Sequence, residues 1–264
     1  MDELSIKKVV KVSLETYKEE WKTLLLISLI SILVSLSGEI MSVIIKFFKL
    51  DEIIPLVISI GFLLKGIRFY LMSRLTVTLI LASKQGLSNV SVLVPETFSD
   101  AKHLTWRYIG YSLILGLIIT FSCFPIVFTM FLGKLFNLML PIKIVLYLLG
   151  IALPVYFATI YYFSLVSAVV YPDEADIFSF SKKLVKGNFF KVFILLAISL
   201  ITIFSDIAFI PLLASIEGNM FTELGVTLIS NIPNLLFRPF TILICLEAIK
   251  ILEGKGVVKK YFIS

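Results

Sequence analysis

Charge, histidine and cysteine are scarce in this sequence, and each scarcity closes a class of function. Only 16% of its 264 residues are Asp, Glu, Lys or Arg, against about 25% in an average soluble domain. Hydrophobic residues make up 59%, with 23 Phe and a mean hydropathy of +1.03. That is more apolar surface than a domain of this size hides in one core, so lipid is the expected solvent and an ordinary soluble enzyme is excluded. His103 is the single histidine, which leaves no His-rich metal site. Neither an HExxH motif, a Gly-rich phosphate loop nor a nucleophile elbow occurs, so no metal, cofactor or catalytic residue is expected. Cys123 and Cys245 both lie in apolar runs, as small buried side chains rather than as a disulfide framework. The net charge of +6 is small for a nucleic-acid binder, and the bases cluster beside apolar runs as topology signals do. No nucleic-acid partner follows from it. The opening MDELSIKKVVKV interleaves acids with bases and leads into an apolar run far longer than the about 7–15-residue core of a secretory signal, so no cleaved leader is expected.

A helix that crosses a bilayer needs about 20 mainly apolar residues. Six runs of that length lie between charged, Gly or Pro boundaries, at about 23–45, 53–83, 108–132, 142–171, 192–213 and 224–249. The expected fold class is all-α: a polytopic bundle of six transmembrane helices forming a single integral membrane domain over 1–264. Lys and Arg between the runs divide unevenly, sixteen on one set of alternate sides and four on the other. The positive-inside rule then puts both termini in the cytoplasm of a multi-pass protein of the inner or plasma membrane.

Ahead of the first run, Ile6, Val10, Leu14, Tyr17 and Trp21 recur at spacings of four, four, three and four, with most of the lysines on other faces. This predicts an amphipathic interfacial helix over 1–22, lying along the inner surface with Trp21 at headgroup level. Its first reading is a surface anchor; the alternative is a partner-docking helix. The aromatic-then-base step of Trp21-Lys22 recurs at Trp106-Arg107 and Phe190-Lys191, separated by 85 and 84 residues. Three copies of an interfacial helix plus a hairpin would produce this spacing. So would the general tendency of membrane boundaries to collect aromatics and bases.

The stretch SFSKKLVKGNFFKVFILLAISLI, residues 179–201, resembles the membrane domain of glycerophosphoryl diester phosphodiesterases and related six-helix bacterial membrane families. In those a short polar helix ending in a Lys-Gly-Asn-aromatic step leads into the fifth span. The opening SIKKVVKVSLETYKEEWKTLLLISLI and the ending RPFTILICLEAIKILEGKG are similar to the corresponding ends of that group. The resemblance implies the six-helix fold; with no room here for the soluble phosphodiesterase domain, it does not imply that activity. Lys186, Gly187 and Asn188 carry its most specific part. By their own chemistry they read as a turn, in which Gly187-Asn188 ends the interfacial helix with a residue of positive φ.

Seven ionisable residues fall within the runs: Glu39, Lys65, Arg68, Arg74, Asp206, Arg238 and Glu247. Glu247 is near enough to a helix end to snorkel, and Arg74 fits a cytoplasmic extension of the second helix. At about 1.5 Å per residue, Lys65, Arg68 and Arg238 lie roughly 18, 22 and 21 Å from the outer ends of their runs. A charge that deep costs about 2.5–3.5 kcal/mol on insertion scales, so these three are expected to face the bundle interior. The expectation is that Lys65 reaches Glu39 or Asp206, while Arg68 and Arg238 line a basic pocket that holds an anionic lipid headgroup. An internal ion-pair network that fixes helix register is the competing reading. Ser28, Ser31, Ser35, Gly38 and Ser42 form a stripe on the first run, read as a helix-packing seam with a polar pathway as its alternative.

These residues point to a non-catalytic membrane protein that binds or helps to move a lipid-like or amphipathic anionic molecule, with membrane lipids as partners. The alternatives are the membrane subunit of an ATP-driven exporter, docked by a separate ATPase, and an accessory or regulatory protein with no pathway. The topology is directly testable. A cysteine placed at Ser264 or Lys183, in a variant lacking Cys123 and Cys245, is expected to stay unlabelled by an impermeant maleimide in intact cells; labelling from outside would reverse the orientation.

Overall fold

The computed structural model describes residues 4–47, 54–135, 140–200 and 220–254. All regular structure among them is helical, with no strand. The helices are α1 (Ile6–Phe47), α2 (Ile54–Leu87), α3 (Val94–Ser122), α4 (Phe124–Leu135), α5 (Leu140–Ile160), α6 (Ser164–Val170), α7 (Ile177–Val185), α8 (Phe189–Ser199) and α9 (Met220–Leu252). Among the described residues three stretches are long and apolar enough to cross a membrane: 6–37, 94–131 and 140–170. Their outer faces carry Leu117, Phe121, Phe131 and Leu148, all exposed. A contiguous apolar exterior of this kind belongs to a helical membrane protein.

The tight core lies at one end, around the C-terminal halves of α2 and α9. Every residue from Leu75 to Ile80 and from Ile242 to Ile249 is buried, which requires neighbours on all sides of both helices. α1, α3, α6 and α8 supply them, and Leu24, Ile27, Phe163, Leu184 and Leu195 fill the gaps. Hydroxyls are present in this core too. Thr78 donates to the Arg74 carbonyl at 2.9 Å, Thr105 to the Ala101 carbonyl at 2.7 Å and Ser181 to the Ile160 carbonyl at 2.8 Å. Each satisfies its donor locally, which a buried hydroxyl requires.

Two of the sequence expectations about interfacial helices change. Residues 6–22 are the first half of one unbroken 42-residue helix, about 63 Å long at 1.5 Å per residue. Continuity with the rest of α1 fixes its rotation: Val9, Ser13 and Thr16 are buried, whereas Leu14 and Trp21 of the expected apolar stripe are 42% and 47% exposed. This segment runs alongside α9, where the rings of Tyr17 and Phe240 meet edge to face at 6.2 Å. It also meets the end of α2, where a Cβ on Gly86 would lie 3.0 Å from Glu20 Cγ. The stretch before the third run is likewise continuous with it, in α3. Only the segment before α8 is a separate helix. There α7 starts on an Asp176 side-chain cap to the Ser179 amide at 3.0 Å, and Gly187 adopts φ of 81°, a conformation open to glycine at no steric cost.

Breaks divide two of the expected runs, while 54–83 and 224–249 lie within the unbroken α2 and α9. The run 108–132 is interrupted at Cys123, between α3 and α4, and 142–171 at the turn 161–163, between α5 and α6. α4 returns as α5, and the two meet at Gly150, where a Cβ would lie 2.2 Å from Ile126 Cγ1 and 3.0 Å from its backbone nitrogen. Backbone cannot yield as a flexible side chain can. Gly150→Leu is therefore expected to destabilise the protein by about 1–3 kcal/mol through overpacking, read as a lower melting temperature in detergent. An unchanged melting temperature would show that α4 and α5 are not in contact there.

Candidate functional site

A polar cavity of about 180 Å³ lies between α1, α2 and α9. α1 contributes Ser28, Ser31 and Ser35, three members of the small-residue stripe. α2 contributes Met72, and α9 contributes Asn231, Asn234 and Arg238. The stripe thus faces polar groups over this part of its length.

Arg238 is held from one side. Its Nη2 donates to Thr76 Oγ1 at 2.5 Å, and the Thr76 hydroxyl in turn donates to the Met72 carbonyl at 2.8 Å. The Thr76 proton being committed to its own helix, its oxygen is left to accept from the guanidinium. Tyr108 of α3 lies beside both groups. Among the described residues no carboxylate pairs with Arg238, and Thr76 takes one of the five N–H donors that a guanidinium carries. Across the cavity the Ser28 hydroxyl, only 3% exposed, has no hydrogen-bond partner among the described residues. Ser31, 4% exposed, donates to the Ile27 carbonyl at 3.0 Å, which leaves its oxygen free to accept.

The other residues singled out by the sequence fall in different places. Arg68 Nη2 donates to Ser35 Oγ at 3.1 Å, so Arg68 touches one wall residue of the cavity that Arg238 lines without lining it itself. Lys65 does not line it and is exposed on α2. Its expected partners are outside the described residues: Asp206 entirely, and Glu39 in its side chain. Arg74 donates to the Phe98 carbonyl at 3.1 and 2.9 Å and lies over the Phe98 ring at 3.9 Å. Glu247 does not snorkel: it is 5% exposed, with Lys250 at 4.0 Å. Trp21 and Trp106 are both exposed, Trp21 beside Lys22 and Trp106 against Tyr70 at 5.3 Å. Lys186, Gly187 and Asn188 form the α7–α8 turn, where the Asn188 amide donates to the Val185 carbonyl at 2.9 Å.

Sequence reasoning passed over Thr76, Asn231 and Asn234. A signal for the asparagines was present, since residues 231, 234 and 238 stand at i, i+3 and i+7, the spacing of one helix face. Arg107 was counted only as a topology charge, yet it donates to the carbonyls of Tyr171, Pro172 and Glu174 and ties α3 to the chain after α6. Glu253 beyond the last run is buried as well; burial holds its carboxyl above the usual carboxylate range, with Tyr171 and Lys84 pulling the other way. No cluster of three or more His, Cys, Asp or Glu suited to a metal occurs among the described residues.

No protein family, curated protein or solved structure matches this chain. The resemblance drawn from the opening, from residues 179–201 and from the ending therefore rests on the amino-acid sequence alone.

Thr76 gives the site its test. Thr76→Val removes the acceptor of Arg238 and is expected to lower stability by about 1–3 kcal/mol, the cost of stranding a buried charged donor. Thr76→Ser keeps the hydroxyl and should lose much less. Equal melting temperatures for the Val and Ser variants in detergent would remove Thr76 from the role assigned to it.

Proposed function

We propose that this chain is a six-span membrane protein with both termini cytoplasmic, and that without catalysis it binds the anionic group of a lipid-like or amphipathic molecule. The binding site in this reading is the cavity lined by Arg238, with Arg68 bonded to its wall residue Ser35. One observation carries it: the Arg238 guanidinium, which donates to Thr76 and lies beside Tyr108, lines a cavity whose other walls carry hydroxyl and amide groups. A permanently charged fork of donors suits phosphate or carboxylate oxygens, and the Ser28 hydroxyl supplies a further donor. At about 180 Å³ the cavity is below the roughly 300–1,000 Å³ of pockets that enclose a drug-sized ligand. It therefore takes a headgroup or a comparably small anion, with any acyl chain remaining outside. Kinship with the six-helix membrane domains named above belongs to the same proposal and supplies its six-span count. Helping such a molecule across the membrane is an extension of binding that the seam of serines would serve.

The test is Arg238→Gln, purified from the same cells as the unsubstituted protein. Native mass spectrometry is expected to show one fewer bound anionic molecule, with the variant still folded. Full retention of the anion together with a strongly lowered melting temperature would instead make Arg238 a register-setting residue, since breaking a buried charged contact costs about 3–5 kcal/mol.

A further inference from the structure

A second cavity, of about 530 Å³, lies where α5, α7 and α8 meet and shares no lining residue with the first. Its chemistry is divided. Tyr156, Ile160 and Phe189 form an apolar floor, and the rings of Tyr156 and Phe189 lie 5.8 Å apart. Lys182, Lys183 and Lys186 form the rim. All three lysines are exposed, and among the described residues none is paired with a carboxylate. Lys186 stays beside the other two at the end of α7, where its amide donates to the Lys182 and Lys183 carbonyls at 3.1 and 3.3 Å. With φ at 81° and open space beside its Cα, Gly187 lets the chain reverse from α7 into α8 without a side chain filling the gap.

The same two helices that form the floor, α5 and α8, expose further apolar side chains. Leu148 and Ile151 on α5, and Phe190 and Ile194 on α8, are each 45% exposed or more. A ligand matching this surface has a negative headgroup, for the lysines, joined to hydrocarbon, for the faces of α5 and α8. We infer that the cavity bounded by Tyr156, Phe189, Lys182, Lys183 and Lys186 is a docking site for an anionic phospholipid of the leaflet on the lysine-rich side. Three bases at the rim favour an anionic over a zwitterionic headgroup by roughly fivefold each, and on the order of 100-fold together. The aromatics suit the headgroup level, where an apolar body and a polar edge are both accommodated. The C-terminal end of α7 limits where the phosphate sits: its carbonyls repel an anion, so the phosphate lies out among the ammonium groups rather than on the helix axis.

The site can be tested on the full chain in detergent, delipidated and then titrated with dioleoyl phosphatidylglycerol or dioleoyl phosphatidylcholine under native mass spectrometry. Phosphatidylglycerol should bind the tighter by 10- to 100-fold. The Lys182→Gln, Lys183→Gln, Lys186→Gln triple variant should lose that preference with its melting temperature unchanged, while the corresponding triple Arg variant should keep it. Inorganic phosphate at 10 mM should not displace the lipid, because it makes no use of the apolar floor. A Gln variant that keeps the preference would overturn the site. So would displacement by free phosphate, which would make the ligand a soluble anion. Loss of the preference in Arg238→Gln, with the lysines intact, would assign the lipid to the interior cavity instead. Failure of the interior site leaves the lysine-dependent preference in place, so the two readings separate.

Discussion

A guanidinium enclosed by helices with apolar outer faces must find oxygen within the protein, and this requirement organises the packing. The chain has four arginines, and each joins two different elements. Arg68 links α2 to α1 through Ser35, Arg238 links α9 to α2 through Thr76, Arg74 links α2 to α3 through the Phe98 carbonyl, and Arg107 links α3 to the chain after α6. Arginine stays charged at any accessible pH and spreads its donors over a planar fork, so one residue can hold several carbonyls at once. Lysine, a compact and strongly hydrated charge, is found elsewhere: Lys65, Lys182, Lys183 and Lys186 are all exposed. The division explains why the two cavities differ, since one is built on a half-buried guanidinium among hydroxyls and the other on ammonium groups at the rim of an apolar floor.

Packing density changes along the helices. α2 is buried on every face from Leu75 to Ile80, and the same helix is mostly exposed from Phe62 to Phe69. α9 shows the same change, from buried Ile242–Ile249 to exposed Leu236 and Phe237. The Arg238 cavity lies where that change occurs. The small serines of α1 leave the space that the cavity occupies.

Much of this was legible in the residues. Composition and run length determine an all-helical chain in lipid, because unpaired backbone amides are too costly in hydrocarbon for any open alternative. The Gly187-Asn188 step determines a turn. These are local consequences, readable one segment at a time. Tertiary structure decided the rest. The rotation of α1 followed from helix continuity, which buries Ser13 and Thr16 and turns Leu14 and Trp21 outward against the pattern of their own segment. Thr76 became the partner of Arg238 because α2 and α9 cross at that level, which no spacing within either helix encodes. Lys65 and Arg68, three residues apart, diverged because a short helical offset is enough to put one side chain on Ser35 and the other on the exterior. Periodicity states which residues share a face; only the packing of neighbours decides what that face meets.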